Sequence, residues 1–224
     1  RTLGIIMDGN RRFAKQAGQS AFEGHRRGAE KLREVLDWSR DAGIQTVIAY
    51  AFSTENWRRS KLEVNFLFKL FRQFLKKEVA ALVADQTIFR CIGERDSLPA
   101  DLQTAIAAAE AETGNLGPQT LVLAVSYGGR AEILAAAKLF AARYRDNLAA
   151  AGESEFSQCL FTAGLPDPDL IIRTGGDKRL SNFLPWQSVY SELVFTPTYW
   201  PALTHEEFTA ILREASHRER RFGR

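Results

Sequence analysis

Cysteine is scarce in this sequence of 224 residues: Cys91 and Cys159 stand far apart, in no metal-ligand or redox spacing. They build neither a zinc site nor a disulfide framework, and read as buried thiols in a reducing compartment. Long apolar runs are missing too, none reaching the ~18 residues that a membrane-crossing helix needs. Neither G-x-x-x-x-G-K-S/T nor G-x-G-x-x-G occurs, which disfavours the familiar nucleotide cradles. There is no Asp-Asp pair, no internal repeat and no low-complexity segment. Charge of one sign is not in excess either, with 30 Lys and Arg against 27 Asp and Glu. That balance, with acidic residues interleaved and no readout motif, argues against nucleic acid as a partner. The chain begins at Arg1 without an initiator Met, so targeting is not judged from its start.

What is present is ordinary for a globular protein, 45% hydrophobic and 25% charged, and long enough to bury a proper core. Apolar runs suited to strands alternate with amphipathic stretches suited to helices. Strands are predicted at Leu3 to Met7, Ile44 to Phe52, Thr87 to Gly93, Thr120 to Tyr127, Leu170 to Ile172 and Leu193 to Phe195. Helices are predicted from Arg11, from Gly24-His25, and over Lys61 to Val83, Leu98 to Thr113, Ala131 to Arg145 and Thr204 to about Ser216. Gln16 to Glu23 reads as a mobile connection, and Asn147 to Phe156 as a linker before a short helix ending near Ala163. Nothing resembles an interdomain linker. The order predicts one α/β domain over residues 1–224, with a mainly parallel central sheet flanked by helices.

Three strand ends carry chemistry. After the first strand come Asp8-Gly9-Asn10 and then Arg11 and Arg12. A strand, a tight turn and a helix start converge backbone N–H groups on an anion, and Arg11, Arg12 and Lys15 add cationic donors for phosphate oxygens. Asp8 is the odd member, because a bare carboxylate would repel phosphate. Either a divalent cation lies between them, or Asp8 merely caps the helix. The second end delivers Ser53-Thr54-Glu55-Asn56-Trp57-Arg58-Arg59, where loop polarity does not account for an indole beside two arginines. The third delivers Arg173-Thr-Gly-Gly-Asp-Lys-Arg-Leu-Ser181, combining glycines with Arg173, Lys178, Arg179 and a hydroxyl. Six guanidiniums at three strand ends suit two diphosphates better than one monophosphate. Asp8, Glu55 and Glu192 are the candidate acids for a metal. The helix over Lys61 to Val83 carries more large apolar groups than one packing face needs, Phe66, Phe68, Phe71 and Phe74 among them. Most are core residues on ordinary grounds; some are candidates to line a cavity for a long apolar ligand. His25, taken alone, reads as a surface histidine at a helix start.

Residues and spacing lead to an α/β enzyme for diphosphates, with a metal beside an apolar tunnel, and no further. The motifs go further. Met7-Asp-Gly-Asn-Arg-Arg-Phe-Ala-Lys15, Gly24-His25, Tyr50-Ala-Phe-Ser-Thr-Glu-Asn-Trp57, Tyr127-Gly-Gly-Arg130, Ile172-Arg-Thr-Gly-Gly-Asp-Lys-Arg-Leu-Ser-Asn-Phe183 and Arg218-Glu-Arg-Arg-Phe-Gly223 resemble, in order, those of the cis-prenyltransferases, the family of undecaprenyl and dehydrodolichyl diphosphate synthases. The resemblance runs from residue 3 to residue 223. The trans-type enzymes carry DDxxD segments, which this chain lacks.

The resemblance implies a Mg²⁺-dependent condensation of isopentenyl diphosphate with an allylic diphosphate, farnesyl diphosphate being the expected primer. The expected product is a Z-polyprenyl diphosphate of the undecaprenyl lipid-carrier type. Asp8 would be the essential carboxylate and hold Mg²⁺ on the allylic diphosphate. Gly9, Asn10, Arg11 and Arg12 would cradle that group, with Phe13 where the family usually has Trp or Tyr, and His25 among the same contacts. Ser53, Thr54, Glu55, Trp57 and Arg59 match the substrate loop, and Asn56 the proton acceptor. Arg173, Arg179, Leu180 and Ser181 would hold isopentenyl diphosphate. Glu192 matches a metal ligand near a dimer interface, and Arg221-Phe-Gly223 an element that in some members reaches the partner's site. A homodimer is implied, cytoplasmic, with peripheral membrane contact at product release. Ala21 stands where an arginine normally contacts the allylic diphosphate, which puts primer choice in question. Arg11 replaces a common bacterial glycine, and Ala51 is small, as in long-chain members. The alternatives are a short- or medium-chain synthase, or a non-catalytic accessory subunit of a heteromeric enzyme, a type that has usually lost the aspartate that Asp8 supplies.

Overall fold

The computed structural model describes residues 1–217. The Arg221-Phe-Gly223 element lies outside the described residues. Six strands form one sheet: β1 Thr2–Ile6, β2 Thr46–Ser53, β3 Thr87–Ile92, β4 Gln119–Tyr127, β5 Leu170–Arg173 and β6 Glu192–Phe195. All pairings are parallel, in the order β3-β4-β2-β1-β5-β6. A parallel sheet needs crossovers, and helices supply all but the one from β5 to β6: α1 Asn10–Gln16 and α2 Ala21–Asp41, then α3 Lys61–Ala84, α4 Ala100–Thr113, and α5 Gly129–Arg143 with α6 Glu153–Ser157; α7 His205–Ser216 follows β6. Because both faces are covered, the inner strands are mainly apolar, with polar residues at their ends. Every residue of β1 is buried, as are Val47, Ile48 and Ala49 of β2. No helix among the described residues is long and apolar enough to cross a membrane. Cys91 and Cys159 are free and buried, as predicted, and burial pushes the Cys91 thiol up to about 12.

The sheet's order places the ligand end. The chain leaves β1 toward β2 on one side, and leaves β5 toward β6 on the other. Connections diverging from neighbouring strands open a crevice at their carboxyl ends. Ile6 pairs with Tyr50 on one side and with Arg173 on the other, so the ends of β1, β2 and β5 meet at one level.

Two segments differ from the sequence reading. The predicted connection Gln16 to Glu23 is half helix: α1 ends at Gln16, α2 starts at Ala21, and the Ser20 hydroxyl caps it by accepting from Glu23 N at 3.3 Å. Gly24 and Gly28, which suggested a later start, lie inside α2 for packing reasons. A Cβ on Gly24 would sit 2.1 Å from the Asn10 carbonyl oxygen, and one on Gly28 2.2 Å from Asn10 Oδ1. His25 is therefore in the body of the helix rather than at its start. The short helix predicted to end near Ala163 is instead α6 at Glu153–Ser157, overlapping the end of the predicted linker, with Glu155 accepting from Gly152 N at 2.9 Å.

Candidate active site

The loop after β1 turns on Gly9, whose φ of 105° is left-handed and which is the residue preceding α1. Asp8 is thus not the helix cap. Its Oδ1 accepts from Gly9 N at 2.6 Å and lies 3.1 Å from Arg12, while its Oδ2 accepts from Arg173 Nη2 at 2.8 Å. Thr174 fixes the loop by donating its hydroxyl to Asp8 O at 2.7 Å and accepting from Asp8 N at 3.0 Å. Burial pushes the Asp8 carboxyl up, but Arg173, Arg12 and the Gly9 N–H outweigh it and hold the group below its ordinary value.

Arg173 ends β5 and is nearly fully buried. Its Nη1 donates to Ser181 Oγ at 2.6 Å and to Arg179 O at 2.5 Å, so one guanidinium organises the third loop. Asp177 closes the arrangement, 3.4 Å from Arg173, 3.6 Å from Arg12 and 2.9 Å from Arg179. Arg12 also lies over the Tyr199 ring. Leu180 packs below, against the cluster that includes Ile6, Tyr127 and Phe183.

The loop after β2 is one 3₁₀ turn, Thr54–Arg58. Asn56 Oδ1 accepts from Ser53 N at 3.0 Å, and Glu55 accepts from Asn182 Nδ2 at 3.0 Å. Trp57 donates to Ser126 Oγ at 2.9 Å and stands edge-on to Phe52 and Phe68. Arg58 is exposed. Arg59 points inward to Glu63, at 3.0 Å. Glu63 also takes His25 Nε2 at 3.2 Å and lies 3.9 Å from Arg11, so it joins the loop after β2 to α1 and α2. Burial is the largest influence on His25 and lowers its pKa against the pull of Glu63. A buried imidazole facing the loops replaces the surface histidine read from the residues alone.

These loops surround two connected openings. One, about 690 Å³, is lined by Asp8 to Arg12, Lys15, Ala21, His25 and Arg59. The other, about 520 Å³, holds Asp8, Ser53, Glu55, Asn56, Arg173 and Ser181. Beneath both lies an apolar cavity of about 110 Å³ between α2, α3 and the sheet, with His25 on its wall. Leu67, Phe68, Leu70, Phe71 and Phe74 of α3 line it, while Val64, Leu75 and Leu82 are core, and Phe68 is both. Ala51 lines it as well.

A family model described as "Putative undecaprenyl diphosphate synthase" matches residues 6–223. The chain belongs to the cis-prenyltransferase family. Among its curated relatives is a geranylgeranyl-diphosphate-specific tritrans,polycis-undecaprenyl-diphosphate synthase of Thermoplasma acidophilum, 45% identical over all of this chain and 89% of that protein. A farnesyl-diphosphate-specific ditrans,polycis-undecaprenyl-diphosphate synthase of Micrococcus luteus is 42% identical, over 99% and 90%. Lavandulyl diphosphate synthase of Lavandula x intermedia, solved with dimethylallyl diphosphate, superposes with a TM-score of 0.95 at 36% identity, covering 100% of this chain and 98% of that one. A probable undecaprenyl diphosphate synthase of Campylobacter jejuni gives 0.83 at 33% identity, with the same coverage. Two of these relatives are thus named for different allylic diphosphates, geranylgeranyl and farnesyl, and a third protein is solved with dimethylallyl diphosphate.

Within this cis-prenyltransferase the residues after β1 and β5 meet, and those after β2 join through Arg59 and Glu55. Glu192 does not: it opens β6 opposite Leu170, at the end of the sheet away from Asp8. Among the described residues no three His, Cys, Asp or Glu groups cluster to hold a metal on their own. Asp177, Glu63 and Asn182 were not singled out from the sequence. Glu63 had a signal, three residues after Ser60 in a capping pattern, and Ser60 caps α3 by accepting from Glu63 N at 3.3 Å. Asp177 and Asn182 lay inside a quoted motif, but only folding shows their partners.

Proposed function

We propose that this protein joins isopentenyl diphosphate to an allylic diphosphate and forms a Z double bond at each addition. The observation that carries the reading is the placement of an arginine-rich crevice, closed by Asp8 and Arg173, directly above an apolar cavity. Substrates with an anionic head and a greasy tail need that pairing.

Arg12, Asn10 and His25 would bind the allylic diphosphate, and Arg173, Arg179 and Ser181 that of isopentenyl diphosphate. Arg173 is the hinge of the chemistry, since its guanidinium spans Asp8 on one side and Ser181 on the other. Guanidiniums aimed at a departing diphosphate stabilise the charge that builds there. Asn56 would accept the proton that the new double bond releases. Its carbonyl oxygen already holds Ser53 N, so turnover has to free that oxygen.

Mg²⁺ fits the donor set. Asp8 and Asp177 share the guanidiniums of Arg12 and Arg173, and one or two carboxylates completed by substrate phosphate oxygens are the usual Mg²⁺ environment. When bound, the ion would neutralise charge on the leaving diphosphate. Glu192 would take part only from a second subunit, in the proposed homodimer. A cytoplasmic protein that touches the membrane to release its product fits a greasy product.

Product length has two readings. Ala51 and the resemblance favour a long undecaprenyl-type chain built on farnesyl diphosphate. The cavity favours a short one, since about 110 Å³ is less than the ~150 Å³ that takes up benzene, room for about one isoprene unit until the α2–α3 wall opens. An accessory subunit is disfavoured by Asp8 and its intact partners. The test is a product assay: labelled isopentenyl diphosphate and Mg²⁺ with dimethylallyl, geranyl, farnesyl or geranylgeranyl diphosphate, products sized by chromatography. Long products from farnesyl diphosphate support the lipid-carrier reading, one or two additions the short-chain reading, and no product with any primer defeats the enzyme reading.

A further inference from the structure

Tyr127-Gly128-Gly129-Arg130 has no task in the site described above, although it stands at the carboxyl end of a central strand. Its partner is Asn182. Helix α5 begins at Gly129 behind a glycine that offers no capping side chain, and its first N–H groups are taken up from another loop. Gly129 N donates to Asn182 O at 2.8 Å, and Arg130 N donates to Asn182 Oδ1 at 2.9 Å. The same side chain donates from Nδ2 to Glu55 Oε1 at 3.0 Å. The glycines make room for this: a Cβ on Gly128 would lie 2.5 Å from Thr54 Oγ1 and 2.8 Å from Asn182 Nδ2, and one on Gly129 2.0 Å from Pro185 Cδ.

The conformation agrees. Ser181 and Asn182 sit at φ 49° and 68°, left-handed values that non-glycine residues hold only where surroundings fix them, Asn most readily. Ser181 is the residue whose hydroxyl Arg173 grips, so the turn that Asn182 pins is the one that sets Ser181. We propose that Asn182 is a positioning residue, tying the loop after β5 and the loop after β2 to the start of α5, so that the isopentenyl-diphosphate side of the site is held in register with the substrate loop. The inference rests on the condensation proposed above.

The test exchanges donor and acceptor. Asn182→Asp keeps the acceptor for Arg130 N but turns a carboxylate toward Glu55. Adding Glu55→Gln returns a donor to that contact and restores the wild-type charge. The expected result for Asn182→Asp is a rise of ~10²-fold in KM for isopentenyl diphosphate, the scale of an ångström-sized misplacement. KM for the allylic substrate and the melting temperature stay at the wild-type values. The double variant regains about tenfold, a coupling of the size seen between groups in contact. Asn182→Gly, which tolerates the backbone and adds no charge, raises the same KM. Wild-type KM in Asn182→Asp, or a double variant no better than Asn182→Asp, overturns the proposal, as does a uniform loss of stability with all kinetic constants. Calorimetric titration with inorganic diphosphate separates this from the proposed function. If wild type makes no prenyl product, the condensation fails. Equal diphosphate affinity in wild type, Asn182→Asp and Asn182→Gly then overturns the positioning role as well.

Discussion

Gly24→Ala exposes how tightly α2 holds the diphosphate loop, because two effects of opposite sign compete. Helix propensity alone favours alanine by ~1 kcal/mol at a helix interior. Against it, the new Cβ would stand 2.1 Å from Asn10 O and 2.9 Å from Asn10 C, backbone atoms of the first turn of α1, and 3.0 Å from Ala14 Cβ. An ordinary carbon–oxygen contact is ~3.3 Å, so the helices must separate by more than ~1 Å. Overpacking costs ~1–3 kcal/mol, and the upper end applies because the obstacle is backbone. The net expectation is a loss of ~2 kcal/mol, which for a chain of this size lowers the melting temperature by ~4–8 °C. The displaced helix carries Asn10, Arg11 and Arg12, so kcat/KM should fall by ~10²-fold as well. Differential scanning calorimetry and steady-state kinetics on the same preparation read both quantities. A higher melting temperature with unchanged kcat/KM would refute the reasoning, since propensity would then have won.

Other expectations follow from the same geometry. Asp8→Ala removes the carboxylate facing Arg12 and Arg173; turnover should drop by orders of magnitude while a diphosphate still binds, which single-turnover kinetics with calorimetry would reveal. Arg173→Lys keeps the charge but cannot reach Asp8, Ser181 and Arg179 together. At ~1.5–3 kcal/mol per lost charged hydrogen bond, KM for isopentenyl diphosphate should rise by about tenfold to a hundredfold. His25 is depressed in the fold, so its contribution to stability is complete above the unfolded value of ~6.5 and is lost as pH falls toward the folded value. Denaturant unfolding should show a decline as pH falls below the unfolded value that is smaller in His25→Gln; equal slopes would remove His25 as its source. EDTA should abolish turnover and Mg²⁺ restore it, with full activity in EDTA ruling out the metal.

Much of this was legible in the sequence because the local signals agreed with the fold. Apolar runs gave all six strands, and turn-formers with arginines marked the ends of β1, β2 and β5. What stayed hidden depends on residues distant in sequence. Gly24 and Gly28 look like helix breakers until α1 is packed on them, and the Ser20 cap goes unnoticed for that reason. Asp8 looked equally suited to capping until Gly9 took that place and Arg173, 165 residues on, paired with it. Asn182 meets Glu55 across 127 residues. No periodicity announces such a contact. Glu192 is the reverse case, a match by motif that the single chain leaves at the far end of the sheet.

The most direct test of the central claim is to follow labelled isopentenyl diphosphate into product with an allylic primer and Mg²⁺, and to determine the new double bond's geometry by NMR. The account predicts a prenyl diphosphate whose added units are Z, formed by wild type and lost in Asp8→Ala. An E double bond, or equal product from Asp8→Ala, would contradict it.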